Sequence, residues 1–263
     1  MESTRLSTGI FGKGQGKRPT VNNDFYNELG DRWYNDPGHP IAILRVEAET
    51  KVNYLLEKLQ EHFGSSKDLT LLDVACGAGF VANPLGEAGY SVTGVDLAES
   101  ALTVAATKAP SNVNYQAANA YQLPFAEHSY DAVLMMDCLE HFDDYGKALD
   151  EAKRVLKPGG LLLYHTFNRN FLSYLLACKA IGWFAREAPD HIHVYHLLIK
   201  PEELAAALTE RGFVPKDLQG ISLDFKSPGL LKALWEKQVN PGLRFKLSRS
   251  TAVGYLGTAT MPV

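Results

Sequence analysis

The sequence predicts an α/β fold built on a doubly wound parallel sheet. From residue 69 onward, short apolar segments alternate with stretches of helical periodicity that are long enough to connect parallel strands. The first apolar segment runs into a glycine-rich loop, an arrangement that lets a nucleotide-type ligand approach the bare backbone. A chain of 263 residues is long enough for one sizeable domain with additions.

Composition indicates a globular protein with a packed core, since 46% of the residues are hydrophobic and 21% are charged. The net charge of −4 gives no general attraction to nucleic acid, so no nucleic-acid partner is expected. Cys76, Cys138 and Cys178 are far apart and form no CxxC pair, which is typical of reduced thiols in a cytoplasmic protein. Composition leaves the oligomeric state open.

The N-terminal part of the chain divides into a tail and a helical region. Residues 1–22 are rich in glycine and polar side chains and lack the apolar core of a signal peptide, so we expect a mobile tail. We expect a single domain over 23–263, beginning with helices over 23–66. We expect one helix over DFYNELGDRWY, where aromatic residues have helical spacing, and a second over HPIAILRVEAETKVNYLLEKLQEHF, which carries one apolar face.

Strands and helices then alternate in a fixed order. The predicted strands are LTLLDVA, SVTGVD, VNYQAA, YDAVLMMD and GLLLYHTF, with helices near 80–88 and 99–108 and over YGKALDEAKRVL. KPGG at 157–160 is predicted to be a turn in which glycine takes a positive φ. Later segments predict a helix over 170–186, a helix over PEELAAALTERGF with Pro201 at its first position, and a last strand in STAVGYLGTATM.

The glycine-rich loop, LLDVACGAGF at 71–80, fits two cofactors or a plain tight turn. Residues 77–82 match the G-x-G-x-x-G/A dinucleotide pattern, and Asp96 lies at the distance expected for a ribose-binding acid. NAD would place a pyrophosphate at the helix N-terminus, where acids are unfavourable. S-adenosylmethionine (SAM) carries an ammonium and a sulfonium, which an acid such as Asp73 can face.

The motifs that follow the loop favour SAM. NAYQLPF at 119–125 resembles the methyltransferase segment D-A-x-x-L-P-F, and YDAVLMMDCLEHF and LKPGG follow at the spacing of class I SAM-dependent methyltransferases. This resemblance implies a Rossmann-like sheet. Met136, at the end of the fourth strand, is expected to pack on the cofactor, and packing in the core is the alternative. The cofactor-binding residues that the resemblance implies are Asp73, Ala75, Gly77, Gly79, Asp96, Leu97, Asn119, Ala120 and Met136.

A narrower resemblance comes from segments on both sides of the sheet. RWYND resembles the R-W-W-D segment of the ubiquinone-biosynthesis O-methyltransferases, which methylate polyprenyl catechols. HTFNRNFLSYLLA and LIKPEELAAAL resemble that family's T-L-N-R-N-x-x-S-W-L and F-I-K-P-x-E-L segments. The resemblance covers 24–225 and implies that Arg45 contacts SAM. We expect 170–200 and 226–246 to form lid segments. The chain departs from the family at Ala75, where the family has glycine, and in an apparent insertion, KSPGLLKALWEKQVNPGLR.

Asp137, Glu140 and His141 have i, i+3, i+4 spacing, which predicts one face of a helical turn. The family resemblance implies that they hold a divalent metal such as Mg²⁺, which could bind both catechol oxygens and acidify one of them. The alternative is a site without metal, because L-E-H after the fourth strand is common among methyltransferases that use none.

The histidines of PDHIHVYH have a different pattern. A zinc cluster is not expected, because in an extended segment His191 and His193 share one face and His196 points the opposite way. His193 stands where the family has the histidine of P-K-G-T-H, which implies a general base or an orienter of the phenol, with His141 beside it as a catalytic candidate. A structural, hydrogen-bonded histidine is the alternative.

These observations lead to one function and two alternatives. The first is SAM-dependent O-methylation of a catechol hydroxyl on a polyprenyl precursor in ubiquinone biosynthesis. The alternatives are O-methylation of another small phenol and a SAM-binding module without turnover. We expect a cytoplasmic protein with peripheral membrane contact, because residues 170–186 and 229–238 combine apolar and basic side chains. A lid packed on the core is the other interpretation of these two segments.

Overall fold

A single mixed sheet organises the protein. The computed structural model describes residues 24–179, 193–240 and 242–263. Along this described chain the strands are β1 (Thr70–Val74), β2 (Ser91–Asp96), β3 (Val113–Ala117), β4 (Tyr130–Met136), β5 (Leu156–Phe167), β6 (Val214–Leu223), β7 (Phe245–Ser248) and β8 (Gly254–Thr260).

The sheet has a parallel half and an antiparallel half. Its spatial order is β3-β2-β1-β4-β5-β8-β6-β7, with the first five strands parallel and β8, β6 and β7 joined by antiparallel pairing. The doubly wound class I methyltransferase arrangement predicted from the sequence is confirmed. β6 and β7 were not predicted, because the β6 segment VPKDLQGISL contains proline and charges and β7 is only 4 residues long.

Helices cover the sheet and precede it. They are α1 (Asp24–Asn27), α2 (Arg32–Asn35), α3 (Ile41–Phe63), α4 (Ala82–Glu87), α5 (Glu99–Ala106), α6 (Tyr145–Val155), α7 (Phe171–Ser173), α8 (Pro201–Glu210) and α9 (Leu230–Glu236). Short 3₁₀ turns occupy Leu139–His141 and Tyr195–Leu197, and a π-helical segment occupies Tyr174–Lys179. No helix among the described residues is both long and apolar enough to cross a bilayer.

The expectation of one helix through DFYNELGDRWY is wrong. The chain forms two short helices, α1 and α2, because it turns between them at Gly30 with a φ of 49°. Glycine adopts this left-handed conformation at little steric cost and so favours a break at this point. The turn lets Trp33 point inward, where it is 4% exposed.

The parallel strands are buried on both faces, which explains their continuous apolar runs. In β4, Val133 and Met135 belong to the apolar cluster beneath α6 and α8, whereas Leu134 and Met136 belong to the cluster beneath α3 and α4. Both faces are therefore occupied by packing. This leaves the carboxyl edge of the parallel strands as the place for a ligand, as in other open α/β sheets.

The turn predicted at KPGG is part of a strand. Gly159 does take a positive φ, 75°, but β5 already begins at Leu156, which pairs with Tyr130. The register then shifts before Ala132 pairs with Leu161, so the extra residues form a bulge. The glycine prediction is confirmed and the boundary between helix and strand is corrected.

The insertion after β6 folds onto the start of α3. Ala233 on α9 is fully buried with Ala42 and Leu243, and the Val239 amide donates to the Pro37 carbonyl at 2.7 Å. The predicted segment 170–200 is described only in part, since its residues 180–192 lie outside the described chain. The tail predicted at 1–22 lies wholly outside the described residues.

Candidate active site

Two adjoining cavities open at the carboxyl edge of the parallel strands. The first, about 400 Å³, lies over the glycine-rich loop and the ends of β1, β2 and β4. The second, about 480 Å³, is lined mainly by apolar side chains of α3, β6, β7 and α9. Both cavities are lined by Tyr26, Leu44, Asp137 and His141, so these residues mark the junction between them.

The loop after β1 is held in left-handed backbone conformations. Ala75, Gly77 and Gly79 have φ values of 57°, 52° and 77°. A Cβ on Gly77 would lie 3.1 Å from the Trp33 ring, and one on Gly79 would lie 2.2 Å from the Tyr115 hydroxyl oxygen. Ala75 replaces a glycine at a cost of roughly 1–2 kcal/mol for its left-handed conformation. Ala75 and Gly77 line the first cavity, while Gly79 supports the loop from beside it.

Asp96 ties the loop to the end of β2. Its Oδ2 accepts from the Gly77 amide at 2.8 Å and its Oδ1 accepts from the Ala98 amide at 2.9 Å. Each carboxylate oxygen has a second lone pair, which can accept from a ribose hydroxyl of a ligand in the cavity. Burial raises the pKa of Asp96. Leu97, next to it, is 68% exposed and lines the cavity rim.

Asp73 is the buried acid of the first cavity, with 2% exposure. Burial and the nearby charge of Asp96 raise the pKa of Asp73 to about 8. Its Oδ2 is buried and has no hydrogen-bond partner among the described residues. A buried carboxylate oxygen without a partner is costly, so this atom fits a cationic ligand group such as the ammonium of SAM.

The other predicted cofactor residues divide into two groups. Asn119, Ala120 and Met136 line the first cavity, and Asn119 is oriented by the Tyr121 amide, which donates to its Oδ1 at 2.9 Å. Arg45 is not among the described lining residues. Its guanidinium donates instead to the carbonyls of Trp33 and Tyr34, so it joins α2 to α3.

Sequence reasoning missed most of the aromatic lining of the first cavity. Its side chains are Tyr26, Trp33, Phe80, Tyr121 and Phe142. The spacing of aromatic residues in DFYNELGDRWY predicts a helix, and nothing in that spacing separates a core face from a ligand-facing one. These rings enclose an otherwise open loop and suit the flat base and apolar chain of a nucleoside ligand.

Asp137, Glu140 and His141 do not form one face of a helical turn. Asp137 precedes the 3₁₀ turn and has a φ of 55°. Its Oδ1 lies 2.6 Å from Lys51 Nζ and 2.6 Å from His165 Nδ1. Burial favours the neutral acid, but the charges of Lys51 and His165 outweigh it and hold the pKa of Asp137 below its usual range.

Glu140 and His141 instead meet His193. One potential ligand atom from each of the three side chains lies within 4.8 Å of the other two. Glu140 Oε1 and His141 Nδ1 are buried without a hydrogen-bond partner among the described residues, while Glu140 Oε2 accepts from Thr166 Oγ1 at 2.8 Å. This donor set fits a divalent cation and differs from the predicted one by having His193 in place of Asp137.

Burial sets the protonation of this group. Desolvation and the Asp137 charge raise the pKa of Glu140 to about 8, and desolvation and His193 lower the pKa of His141 to about 3. Burial also lowers the pKa of His193. His193 Nδ1 lies 3.0 Å from the Ala177 carbonyl and must donate to it, so Nε2 carries the lone pair. Of the other two histidines, His191 lies outside the described residues and His196 is not part of this group.

Comparison with known proteins agrees with this geometry. The family described as "Methyltransferase domain" matches residues 72–164. In fold the chain is similar to the magnesium protoporphyrin IX methyltransferase of Synechocystis PCC 6803 solved with bound SAH, with a TM-score of 0.61, 19% identity, and coverage of 90% of this chain and 96% of the other. A SAM-dependent methyltransferase of Thermotoga maritima gives 0.58, with 22% identity and coverage of 90% and 97%.

The fold and the first cavity therefore define a SAM-dependent methyltransferase. In sequence the chain is 32% identical to a ubiquinone biosynthesis O-methyltransferase of Hydrogenovibrio crunogenus, over 95% of this chain and 97% of that protein. A protein of the same name from Bordetella avium is 32% identical, over 91% and 95% of the two chains. The chain belongs to the ubiquinone biosynthesis O-methyltransferase family.

Asp73 predicts that SAM binding depends on pH. The carboxyl has a pKa near 8 without ligand, and pairing with the SAM ammonium would lower that pKa. Binding below pH 8 then releases a proton, so the dissociation constant should fall by up to about tenfold per unit as pH rises from 6 towards 8. Calorimetry in two buffers of different ionisation enthalpy measures this release directly.

Substitution provides the control for this linkage. Asp73→Asn should weaken SAM binding and flatten its pH dependence, whereas Asp150→Asn, at an exposed position on α6, should change neither. SAM binding with no proton release between pH 6 and 8 would show that Asp73 does not hold the ammonium.

Proposed function

We propose that this enzyme transfers the methyl group of SAM to a catechol hydroxyl on a polyprenyl precursor of ubiquinone. The observation that carries the proposal is the second cavity, because it joins the cofactor cavity at Asp137 and His141 and continues as an apolar space of about 480 Å³. A polar junction followed by an apolar space suits a ring with hydroxyl groups at one end and a hydrocarbon tail at the other.

The protein has to supply geometry and a deprotonated oxygen. SAM provides an already activated methyl group, so placing the acceptor oxygen in line with it accounts for much of the rate. His193 lines the second cavity, and its Nδ1–H is held by the Ala177 carbonyl, which aims the lone pair of Nε2 away from that bond. Burial lowers its pKa, so the ring is neutral at pH 7 and can accept a phenolic proton.

Glu140, His141 and His193 are the residues that would hold a divalent cation. A cation there would supply Lewis acidity that lowers the pKa of a bound phenol. The set of one carboxylate and two imidazoles suits Zn²⁺, Mn²⁺ or Fe²⁺ at least as well as Mg²⁺, which prefers oxygen ligands. A cation on His193 Nε2 would use the lone pair that the base needs, so a metal-assisted and a metal-free reaction are separate alternatives.

We predict that chelation separates these two alternatives. If the cation acidifies the phenol, EDTA should abolish turnover and a divalent metal should restore it, with Mg²⁺, Mn²⁺ and Zn²⁺ compared. Glu140→Gln should reduce activity and direct metal binding together, measured by calorimetry, while leaving SAM affinity nearly unchanged. Glu202→Gln, at an exposed position on α8, is the matched control. Full activity in chelator would leave His193 as the base.

The acceptor's tail can be tested by kinetics with labelled SAM. Each buried methylene contributes about 0.8 kcal/mol, so one prenyl unit on the catechol should raise kcat/KM at least tenfold over bare catechol. Phe225→Ser, at the rim of the second cavity, should remove much of that gain and spare bare catechol. Leu218→Ser, an exposed apolar position outside the described lining, is the control.

The outcomes of this assay also decide between functions. Equal rates with and without a tail would favour a small phenol as the acceptor. Absence of turnover with every catechol, in protein that binds SAM, would favour a SAM-binding module without catalysis.

Contact with a membrane surface is part of the proposal, because a polyprenyl acceptor partitions into lipid. Leu231 and Trp235 on α9 are 81% and 90% exposed, beside the rim of the second cavity. Exposed apolar residues with basic neighbours suit the interface of an anionic bilayer. Lys232 and Lys237 are exposed beside them in sequence, and Lys226, Arg244 and Arg249 are exposed in the neighbouring segments of the chain.

The earlier segment predicted for this contact is only partly described. Phe171 and Leu172 are exposed, by 76% and 44%, and Leu172 lines the second cavity. Trp183 lies outside the described residues.

Liposome flotation tests the membrane contact. The protein should float with anionic vesicles at low salt and detach as salt rises, because the basic residues are screened. Trp235→Glu should abolish flotation and keep SAM affinity, whereas Leu218→Glu, exposed on β6, should have little effect. Wild-type protein that stays with the soluble fraction at low salt would exclude the membrane contact and favour a soluble acceptor.

A further inference from the structure

Four polar side chains, three of them buried, meet at the junction of the two cavities, and the proposed reaction does not use them. They are Glu47 and Lys51 of α3, Asp137 after β4, and His165 of β5. Lys51 is 1% exposed and His165 is fully buried. We refer to these four residues as the junction cluster.

The junction cluster is centred on Lys51. Its Nζ lies 3.0 Å from Glu47 Oε2 and 2.6 Å from Asp137 Oδ1, and it also contacts Asp137 Oδ2. His165 approaches the same Asp137 Oδ1 to 2.6 Å. The imidazole fits because residue 254 is glycine: a Cβ there would lie 2.8 Å from His165 Nε2.

The carboxylate of Asp137 keeps an acceptor position for a ligand. A carboxylate has two acceptor positions on each oxygen. Lys51 takes one position on Asp137 Oδ1 and one on Oδ2, and His165 Nδ1 lies close to Oδ1, at 2.6 Å. One position remains on Oδ2, the side chain keeps 19% of its surface exposed, and Asp137 lines both cavities.

We propose that Asp137 recognises the acceptor hydroxyl adjacent to the one that is methylated, and that Lys51 and His165 are positioning residues that hold its carboxylate for this contact. The inference rests on the proposed function. A carboxylate fixed by a lysine ammonium accepts hydrogen bonds and donates none, so the ring must bring its own donor next to the reacting oxygen. Asp137 thereby selects vicinal diols over monophenols.

The same contacts separate Asp137 from the group that fits a metal. Glu140, His141 and His193 place their ligand atoms together without it. The contacts of both Asp137 oxygens with Lys51 oppose their use as ligands, because a cation would have to displace the buried ammonium. If Asp137 recognises the acceptor, Asp137→Asn should leave metal binding intact. If Asp137 is a metal ligand, the same substitution should weaken metal binding.

The test compares the binding of a 4-alkylcatechol and the 4-alkylphenol with the same chain, in the presence of S-adenosylhomocysteine. One hydrogen bond to a charged acceptor corresponds to at least about a tenfold preference for the catechol in wild-type protein. In Asp137→Asn the amide oxygen pairs with Lys51 and turns its NH₂ towards the cavity. The preference should then fall at least tenfold, with the phenol dissociation constant unchanged.

Lys51→Met should also lower the preference for catechol, since the carboxylate is no longer fixed. Lys58→Met is the control, because Lys58 lies on the same helix, pairs with Glu61, and is not among the described lining residues. If Lys51→Met does not fold, as judged by its thermal unfolding, the near-isosteric Asp137→Asn still decides the question.

Metal titration completes the experiment. Asp137→Asn should bind Mn²⁺ with wild-type affinity in calorimetry. Loss of Mn²⁺ binding, or an unchanged catechol preference in Asp137→Asn, would overturn the inference. Neither result touches the proposed function, which fails if the wild-type enzyme methylates no catechol or methylates prenylated and bare catechol equally well.

Discussion

The ion pair between Lys51 and Asp137 is the interaction on which the geometry of the site depends. It joins the middle of α3 to the residue after β4 and lies where the two cavities meet. Removing one partner of a buried pair costs roughly 3–5 kcal/mol, a large part of the 5–15 kcal/mol that stabilises a typical domain. The intact pair adds little net stability, because desolvation of the two charges offsets their attraction. Since separating the charges is costly, the pair constrains where α3 lies, and with it the wall shared by the cofactor and the acceptor.

The two cavities differ in charge because their ligands differ. In the first, burial and then the nearby charge of Asp96 raise the cost of ionising Asp73, which is why the pKa of Asp73 reaches about 8. Two neighbouring acids are unfavourable until a cation arrives, and a ligand with an ammonium and a sulfonium removes that cost. In the second cavity, the charged and histidine side chains lie near the junction and the remaining wall is mainly apolar. The protein thus separates charge recognition from hydrocarbon recognition by a few side chains.

Much of the parallel half was predictable from sequence because its determinants are local. Apolar runs specify β1 and β4, and LLDVACGAGF specifies the turn that places Ala75 and Gly77 in the cavity. The missing parts depend on distant contacts. Lys51 lies seven residues after Leu44 and four before Leu55, so helical spacing places it on the apolar face of α3. Spacing does not identify its partner, because only the packing of α3 on the sheet brings Lys51 to Asp137. His193 lies beside Glu140 and His141, and no periodicity in the sequence predicts a contact between residues so far apart in the chain.

The spacing of Asp137, Glu140 and His141 predicts a shared helical face that the structure does not have. Asp137, Glu140 and His141 share a face only if the chain is helical from 137 onward. A φ of 55° at Asp137 breaks that assumption and turns its side chain towards Lys51. Left-handed backbone is uncommon at residues other than glycine, although aspartate adopts it more readily than most, and beside a cavity it is a reason to look for a functional constraint.

The insertion after β6 gives the acceptor side its character, because α9 carries two apolar faces. Leu230 and Leu234 line the second cavity and Ala233 is buried on α3, whereas Leu231 and Trp235 face outward. A surface helix normally buries one apolar stripe and leaves charges on the other side. The outward face of α9 ends in Trp235. Among the large hydrophobic side chains of the described residues, only that of the terminal Val263 is more exposed, and lysines lie beside Trp235 in sequence. The cavity wall and the surface around its rim are thus built from one helix, so anything that contacts the outward face also acts on the entrance for the acceptor.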